Sequence, residues 1–331
     1  MERWSVDRAQ TWYRQQPWPV GCNYIPRTAV NQLEMWQAAT FDAATIAQEL
    51  DWAAGLGLNT LRVYLHDLAW QVDPPGCCRR LDQLLTLAAA RGLRAIPVLL
   101  DDCWNDHPAV GPQPTPQPGV HNSRWLQSPG RAGVNDPGVW PRLQAYVHGV
   151  VAAFATDARI LLWDLYNEPG NSGQHEASLP LLVKAFEWAR QARPVQPLSA
   201  GVWYDNAALN AFQLAASDLI TLHNYGDPAA LTAHLDSLRG HDRPLLCTEW
   251  LRRPHSQVET CLPLFHARDV GCCCWGLVAG RTQTIYPWGS PAGAAEPPVW
   301  FHDLLRPDGT PFAVAEAALF QRYATQQPPG R

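Results

Sequence analysis

Short runs of aliphatic and β-branched residues alternate with amphipathic stretches of helical length from residue 19 to about residue 325. This order indicates parallel strands joined by helices. No glycine-rich phosphate loop follows the first apolar run, although a doubly wound sheet would usually require one. We therefore predict an α/β fold, a single (β/α)8 TIM barrel that forms one domain over residues 1–331. The eight predicted strands lie near residues 20–25, 60–65, 95–100, 160–166, 197–201, 219–223, 244–248 and 271–277.

Two long irregular segments follow the third and the eighth predicted strands. They cover residues 101–137, rich in Pro, Gly and Asn, and residues 278–309, rich in Pro, Gly and Trp. Loops in these positions lie at the barrel face where active sites are built, so we expect both segments to form walls of a substrate cleft. The predicted helices lie near residues 42–57, 77–91, 139–155, 176–193, 205–215, 228–239, 257–269 and 311–323.

The charge and hydropathy of the chain exclude two classes of partner. The sequence has 25 Lys and Arg against 30 Asp and Glu, a net charge of −5, and no run rich in Lys or Arg. Because nucleic-acid binding depends on cationic contacts to phosphate, we expect no nucleic-acid partner. No run reaches the length of about 18 apolar residues that a spanning helix needs, so we expect no membrane segment.

The cysteines indicate reduced thiols. Five of the nine lie in the runs 77–78 and 272–274, where neighbours cannot easily bridge to one another, and no C-x-x-C pair occurs. We expect small buried fillers at residues 272–274, no metal site and no cofactor. The first twenty residues also lack the apolar core of a signal peptide, so we expect a cytoplasmic protein.

The sequence contains 16 tryptophans. Such an excess indicates either a large aromatic core or a surface that stacks on flat, weakly polar ligands. We select Trp36 and Trp104 as ligand-stacking candidates, with core or loop packing as the alternative for each. Eight tryptophans lie in or beside predicted strand-to-helix loops: Trp36, Trp70, Trp104, Trp125, Trp203, Trp250, Trp288 and Trp300.

Two carboxylates follow apolar strands at opposite sides of the predicted barrel. The fourth strand ends in Asn167 and Glu168, and the seventh ends in Thr248 and Glu249. Strands four and seven of an eight-stranded barrel face each other, so both carboxylates can converge on one substrate bond. Paired carboxylates of this kind perform acid, base and nucleophilic chemistry on glycosidic bonds, and their separation decides the stereochemical outcome. The alternative for Glu168 is a structural turn.

These motifs resemble the clan A retaining glycoside hydrolases, closest in style to the cellulases and mannanases of glycoside hydrolase family 5. The resemblance covers roughly residues 17–325. It implies that Glu168 is the acid/base and Glu249 the nucleophile. It also implies substrate or nucleophile contacts from five further residues, which are Asn167, Arg62, His223, Tyr225 and Trp275. Without the resemblance, Arg62 could be a structural ion pair and His223 a core histidine.

One position departs from the family pattern. Family 5 members usually carry Asp-x-His after strand three, whereas this chain has Cys103 in the place of that histidine. A thiol cannot donate as an imidazole does, so we expect Asp102 or His107 to take over its contacts with the sugar hydroxyls.

The expected function is that of a retaining β-glycoside hydrolase acting on β-linked oligo- or polysaccharides through a covalent glycosyl-enzyme intermediate. Two alternatives remain, a transglycosylase and a catalytically inactive carbohydrate-binding barrel. The expected partner is a carbohydrate. Whether the enzyme cleaves at chain ends or within chains depends on whether the two long loops close one end of the cleft.

Overall fold

The computed structural model describes residues 2–329 of the chain. Eight parallel strands form a nearly closed barrel, which confirms the predicted (β/α)8 fold. The strands are β1 (Val20–Tyr24), β2 (Thr60–Tyr64), β3 (Arg94–Asp101), β4 (Trp163–Asn167), β5 (Leu198–Ser199), β6 (Ile220–His223), β7 (Leu245–Trp250) and β8 (Gly271–Cys274).

The strand order is β5-β4-β3-β2-β1-β8-β7-β6, so β1 pairs with β8 and the open seam lies between β5 and β6. A single parallel bridge between Val202 and Leu222 spans this seam. The last strand ends at Cys274, earlier than predicted, and the chain then turns at Gly276, which adopts φ +80°. An added Cβ at this glycine would lie 2.3 Å from a carboxylate oxygen of Asp303.

Helices follow the strands as predicted, and all eight predicted helices are present. Four additional helices were not predicted: α1, which precedes the first strand, and α2, α4 and α6, which have five or six residues each. The α-helices are α1 (Val6–Arg14), α2 (Gln32–Trp36), α3 (Ala43–Gly55), α4 (Asp67–Val72), α5 (Pro74–Ala89), α6 (Arg131–Asn135), α7 (Trp140–Ala153), α8 (Leu179–Gln191), α9 (Ala207–Ala216), α10 (Pro228–Leu238), α11 (Val258–Ala267) and α12 (Val314–Ala324). Short 3-10 helices cover Pro137–Val139, His175–Ser178 and Arg239–His241.

The core has a large cluster between strands and helices and a smaller one that includes Ile96, Leu246 and Cys273. Trp12 of α1 packs against the smaller cluster. The three consecutive cysteines of β8 are fully buried, as expected for fillers of a strand. All nine cysteines are free thiols. Within residues 2–329, no helix combines the length and the apolarity that crossing a membrane requires.

Candidate active site

A buried arginine inside the barrel contacts the predicted nucleophile. Arg62 of β2 is fully buried and donates to Glu249 Oε1 at 2.7 Å and to Asp164 Oδ2 at 2.8 Å. It also donates to the Oδ1 atoms of Asn23 at 2.8 Å and Asn167 at 2.7 Å. A buried cation of this kind requires ionised and polar partners that offset its desolvation. Arg62 therefore contacts the predicted nucleophile, as the resemblance implied, and also forms the structural ion pair with Asp164 that was the alternative.

Glu249 lies on β7, and donors approach both of its carboxylate oxygens. Oε1 accepts from Arg62 and from the Tyr64 hydroxyl at 2.6 Å, while Oε2 accepts from the Tyr225 hydroxyl at 2.7 Å. Burial by itself raises the pKa of Glu249, but the charges of His223 and Arg62 and the two hydroxyl donors outweigh it, so the net pKa is lowered. The arrangement favours an ionised carboxylate.

Glu168 follows β4 and has different neighbours. Its Oε1 lies 2.8 Å from His223 Nδ1, and its Oε2 accepts from the Asn171 amide and lies 3.3 Å from Cys103 Sγ. Its backbone has φ +43°, a conformation that is uncommon for a residue with a side chain and is often found at functional sites. The resemblance implied that His223 orients the nucleophile, but its Nδ1 lies closer to Glu168 than to Glu249, whose Oε2 is 3.5 Å away.

The two glutamates converge as their strand positions predict. Glu168, His223 and Glu249 each offer an atom, and all three atoms lie within 4.8 Å of one another. Such a triad could hold a cation, and it is the only group of three or more His, Cys, Asp or Glu side chains with this spacing among residues 2–329. The Glu249 oxygens, however, already accept from Arg62 and two tyrosine hydroxyls. The arrangement can combine one ionised carboxylate with one proton donor.

The structure brings neither Asp102 nor His107 to the cavity, so the prediction that one of them replaces the usual histidine was wrong. Asp102 is fully buried and accepts from the Tyr166 hydroxyl at 2.7 Å, from Gly170 N at 2.8 Å and from the Ser178 hydroxyl. It therefore fastens the chain that leaves β4 and does not line the cavity, and burial raises its pKa to about 6. His107 is 92% exposed at its side chain and lies outside the cavity.

Cys103 itself lines the cavity where the family carries histidine. Its Sγ lies 3.3 Å from Glu168 Oε2, and it accepts from the side-chain amides of Asn167 and Asn171, each at 3.3 Å. Burial raises the pKa of the Cys103 thiol well above its ordinary value, which favours the neutral form. The thiol therefore packs against the predicted acid/base as a weak hydrogen-bonding group.

Aromatic rings line the walls of the cavity. Trp275 is 9% exposed, and its ring centroid lies 5.6 Å from that of Trp125. Trp104 is 41% exposed and lies 5.4 Å from the His121 ring. The prediction for Trp36 was wrong: α2 turns this side chain into the core, where it is fully buried and its Nε1 donates to a backbone carbonyl at 2.6 Å.

The cavity has a volume of about 620 Å³ and opens at the carboxyl ends of the strands. Four of the eight tryptophans near predicted loops line it, and several polar lining residues that carry no motif were not predicted. The lining residues are Cys103, Trp104, His121, Asn122, Trp125, Asn167, Glu168, Asn171, Ser172, Trp203, His223, Asn224, Tyr225, Gly226, His234, Glu249, Arg252, Trp275, Trp288 and His302.

No protein-family model and no curated protein matches this sequence. Among solved structures, the chain is similar to a GH5_18 enzyme variant from Streptomyces cattleya in complex with Manβ1-4GlcNAc, with a TM-score of 0.64 and 18% identity, over 94% of this chain and 83% of that chain. It is also similar to an exo-β-1,4-mannosidase from Opitutaceae bacterium strain TAV5, with a TM-score of 0.65 and 20% identity, over 92% and 59% of the two chains.

A third similar structure is the endo-β-1,4-mannanase from Thermotoga petrophila, with a TM-score of 0.61 and 14% identity, over 96% of this chain and 79% of that chain. At these identities the likeness concerns the fold. The chain thus has the barrel architecture found in glycoside hydrolases, including enzymes of family 5.

Proposed function

We propose that the protein is a retaining β-glycosidase that hydrolyses β-linked sugars by double displacement. The observation that carries this proposal is the close approach of Glu168 and Glu249, which offer oxygens within 4.8 Å of each other in one cavity. Carboxyl groups about 5 to 5.5 Å apart are typical of retaining enzymes, whereas inverting enzymes separate them by roughly 6.5 to 9.5 Å to admit a water.

The residues can be assigned to two chemical steps. In the first, a Glu249 oxygen attacks the anomeric carbon, and the bond to the leaving oxygen breaks as Glu168 transfers its proton to that oxygen. The product is a glycosyl ester of Glu249. In the second step, Glu168 takes a proton from water, the water oxygen attacks the anomeric carbon, and Glu249 leaves as a carboxylate.

The surroundings of each carboxylate support these roles. Arg62 and the hydroxyls of Tyr64 and Tyr225 favour an ionised Glu249, as a nucleophile requires. Glu168 contacts an amide, a thiol and an imidazole, none of which is a permanent cation. The retained charge network argues against an inactive carbohydrate-binding barrel.

The cavity favours a neutral sugar, because its walls combine aromatic faces such as Trp275 and Trp104 with amide and imidazole groups. Three similar structures are an enzyme variant in complex with Manβ1-4GlcNAc, an exo-β-1,4-mannosidase and an endo-β-1,4-mannanase. We therefore propose β-mannosides as the first substrates to test.

The proposal is tested by assaying 4-nitrophenyl β-mannoside, β-glucoside and β-xyloside with the wild-type chain and with Glu249→Gln and Glu168→Gln. Glu259→Gln, at an exposed position on α11, serves as the matched control. We expect the wild type and the control to hydrolyse at least one glycoside equally and Glu249→Gln to be inactive. Full activity of a folded Glu249→Gln variant would contradict the proposal.

A further inference from the structure

The two long loops at the barrel mouth are joined to each other. Residues 117–122, after β3, pair with residues 282–294, after β8, through bonds such as Asn122 N to Thr282 O at 2.9 Å. The side chain of Gln283 adds three more hydrogen bonds to backbone groups of the first segment. We call residues 117–122 and 282–302 together the loop wall.

Close packing supports this connection. Gly119 has φ +79°, and an added Cβ would lie 2.5 Å from Ala294 N, so the two backbones approach as closely as glycine permits. His121 Nδ1 lies 2.8 Å from Tyr286 O, and its ring centroid lies 5.3 Å from that of His302. The loop wall is therefore a closely packed part of the cavity lining.

The loop wall stands on the nucleophile side of the cavity. The ring of Trp288 lies 5.1 Å from that of Tyr225, and the ring of His302 lies 5.6 Å from it. The hydroxyl of the same tyrosine donates to Glu249. A sugar with its anomeric carbon at Glu249 would therefore meet the loop wall.

A tryptophan lies on the acid/base side of the cavity. Trp203 lines the cavity and donates from Nε1 to Pro169 O at 3.1 Å, one residue beyond Glu168. Trp203 and His234 also line a second hollow of about 410 Å³, so both side chains border two hollows. The leaving group, whose oxygen must meet Glu168, would therefore lie beside Trp203.

Two buried acceptors of the loop wall face the cavity without a partner. Asn122 Oδ1 and His302 Nε2 have no hydrogen-bond partner among the described residues, although both side chains are almost fully buried and line the cavity. His302 Nδ1 contacts the carbonyl of Leu251, so it carries the hydrogen and leaves Nε2 as an acceptor. Burial lowers the pKa of His302 well below its ordinary value, which keeps the ring neutral. Buried acceptors without a partner are costly unless a ligand satisfies them.

We propose that the loop wall makes the enzyme exo-acting, so that it releases one sugar at a time from the non-reducing end of a β-linked chain. This inference rests on the proposed glycosidase function. The terminal sugar donates hydroxyl hydrogens to Asn122 Oδ1 and His302 Nε2, while the remaining chain extends over Trp203. A chain that continued beyond the terminal sugar would collide with the loop wall.

The test uses β-1,4-mannopentaose and cellopentaose that carry a fluorophore at the reducing end. The early products of whichever chain is cleaved are expected to be the labelled tetrasaccharide and free monosaccharide. Labelled di- or trisaccharide as the first product would overturn the inference. Hydrolysis of a 4-nitrophenyl glycoside in the same preparation would then show that the proposed function survives, whereas absence of any cleavage would contradict the function itself.

Two variants locate the effect in the loop wall. Asn122→Ala removes an acceptor for the terminal sugar and is expected to lower kcat/KM about tenfold, in line with one lost hydrogen bond. Gln283→Ala removes three bonds that join the loops and is expected to raise the fraction of internal cleavages. Gln10→Ala, which removes an exposed bond on α1, is the matched control and should change neither quantity. Unchanged kcat/KM in a folded Asn122→Ala variant would contradict the proposed role of this acceptor.

Discussion

The two carboxylates of the cavity are chemically identical side chains in unlike surroundings. Glu249 accepts from the buried guanidinium of Arg62 and from two tyrosine hydroxyls, and its pKa is lowered. Glu168 contacts the Asn171 amide, the Cys103 thiol and an imidazole. Arg62 is a permanent cation and favours an ionised Glu249, whereas the described hydrogen-bond contacts of Glu168 include no guanidinium or ammonium group. The neighbours of each carboxylate therefore determine its proposed role.

The largest expected effect follows removal of the nucleophile. Glu249→Ala should lower kcat on an aryl β-glycoside by about 10⁴-fold or more, because no covalent intermediate can form. Added azide should restore part of the rate and give the α-glycosyl azide, since it enters through the space left by the carboxylate. Rates with and without azide and NMR of the product check this prediction. A β-glycosyl azide would contradict the assignment of Glu249 as the nucleophile.

Removal of the acid/base should produce an effect that depends on the leaving group. Glu168→Ala should slow an unactivated disaccharide by about 10²- to 10⁴-fold, because its leaving oxygen needs a proton. A 2,4-dinitrophenyl glycoside needs no proton and should show much less loss in the glycosylation step. Pre-steady-state rates on both substrates measure this step, and equal losses would remove the distinction between the two carboxylates.

The buried ion pairs of Arg62 with Asp164 and Glu249 should also contribute to the stability of the fold. Arg62→Met would leave the buried carboxylates of Asp164 and Glu249 without their cation, and we expect the free energy of unfolding to fall by about 3–5 kcal/mol. Arg91→Met, which removes the more exposed ion pair with Asp51, is the matched control and should cause only a small change. Urea unfolding of both variants gives the comparison, and equal losses would show that Arg62 has no special role.

A smaller effect concerns pH. The Tyr225 hydroxyl helps to lower the pKa of Glu249, so Tyr225→Phe should raise that pKa and move the acid limb of kcat/KM to higher pH. Activity would thus be lost at a higher pH as acid is added. Cys103→Ala removes a contact of Glu168 and should leave the acid limb in place. The pH profiles of kcat/KM for both variants check the direction of the shift. An equal shift of the acid limb in both variants would show that contacts of Glu168 affect it as much as contacts of Glu249 do.

The sequence predicts the barrel and its two carboxylates well because both follow from strand geometry. Alternating apolar runs and amphipathic helices specify parallel strands, and residues at the ends of strands four and seven must face each other. Arg62 and Tyr225 were found through the family resemblance, and the structure brings both to Glu249.

The loop residues could not be predicted in the same way. Asn122 and His302 lie in irregular segments without periodicity, and only the pairing of two distant loops brings them together. Trp36 was misjudged because a short helix capped by Asn31 turns it into the core. Asp102 was misjudged because the backbone leaving β4 needs an acceptor, which a sequence pattern does not reveal.

The most direct test of the central claim is the anomeric configuration of the first sugar released from a β-glycoside. Proton NMR within the first minutes of hydrolysis separates the two anomers before mutarotation mixes them. Double displacement through Glu249 predicts that the β-anomer appears first and the α-anomer grows in later. Initial appearance of the α-anomer would contradict the account, because it would require direct attack by water between the two carboxylates.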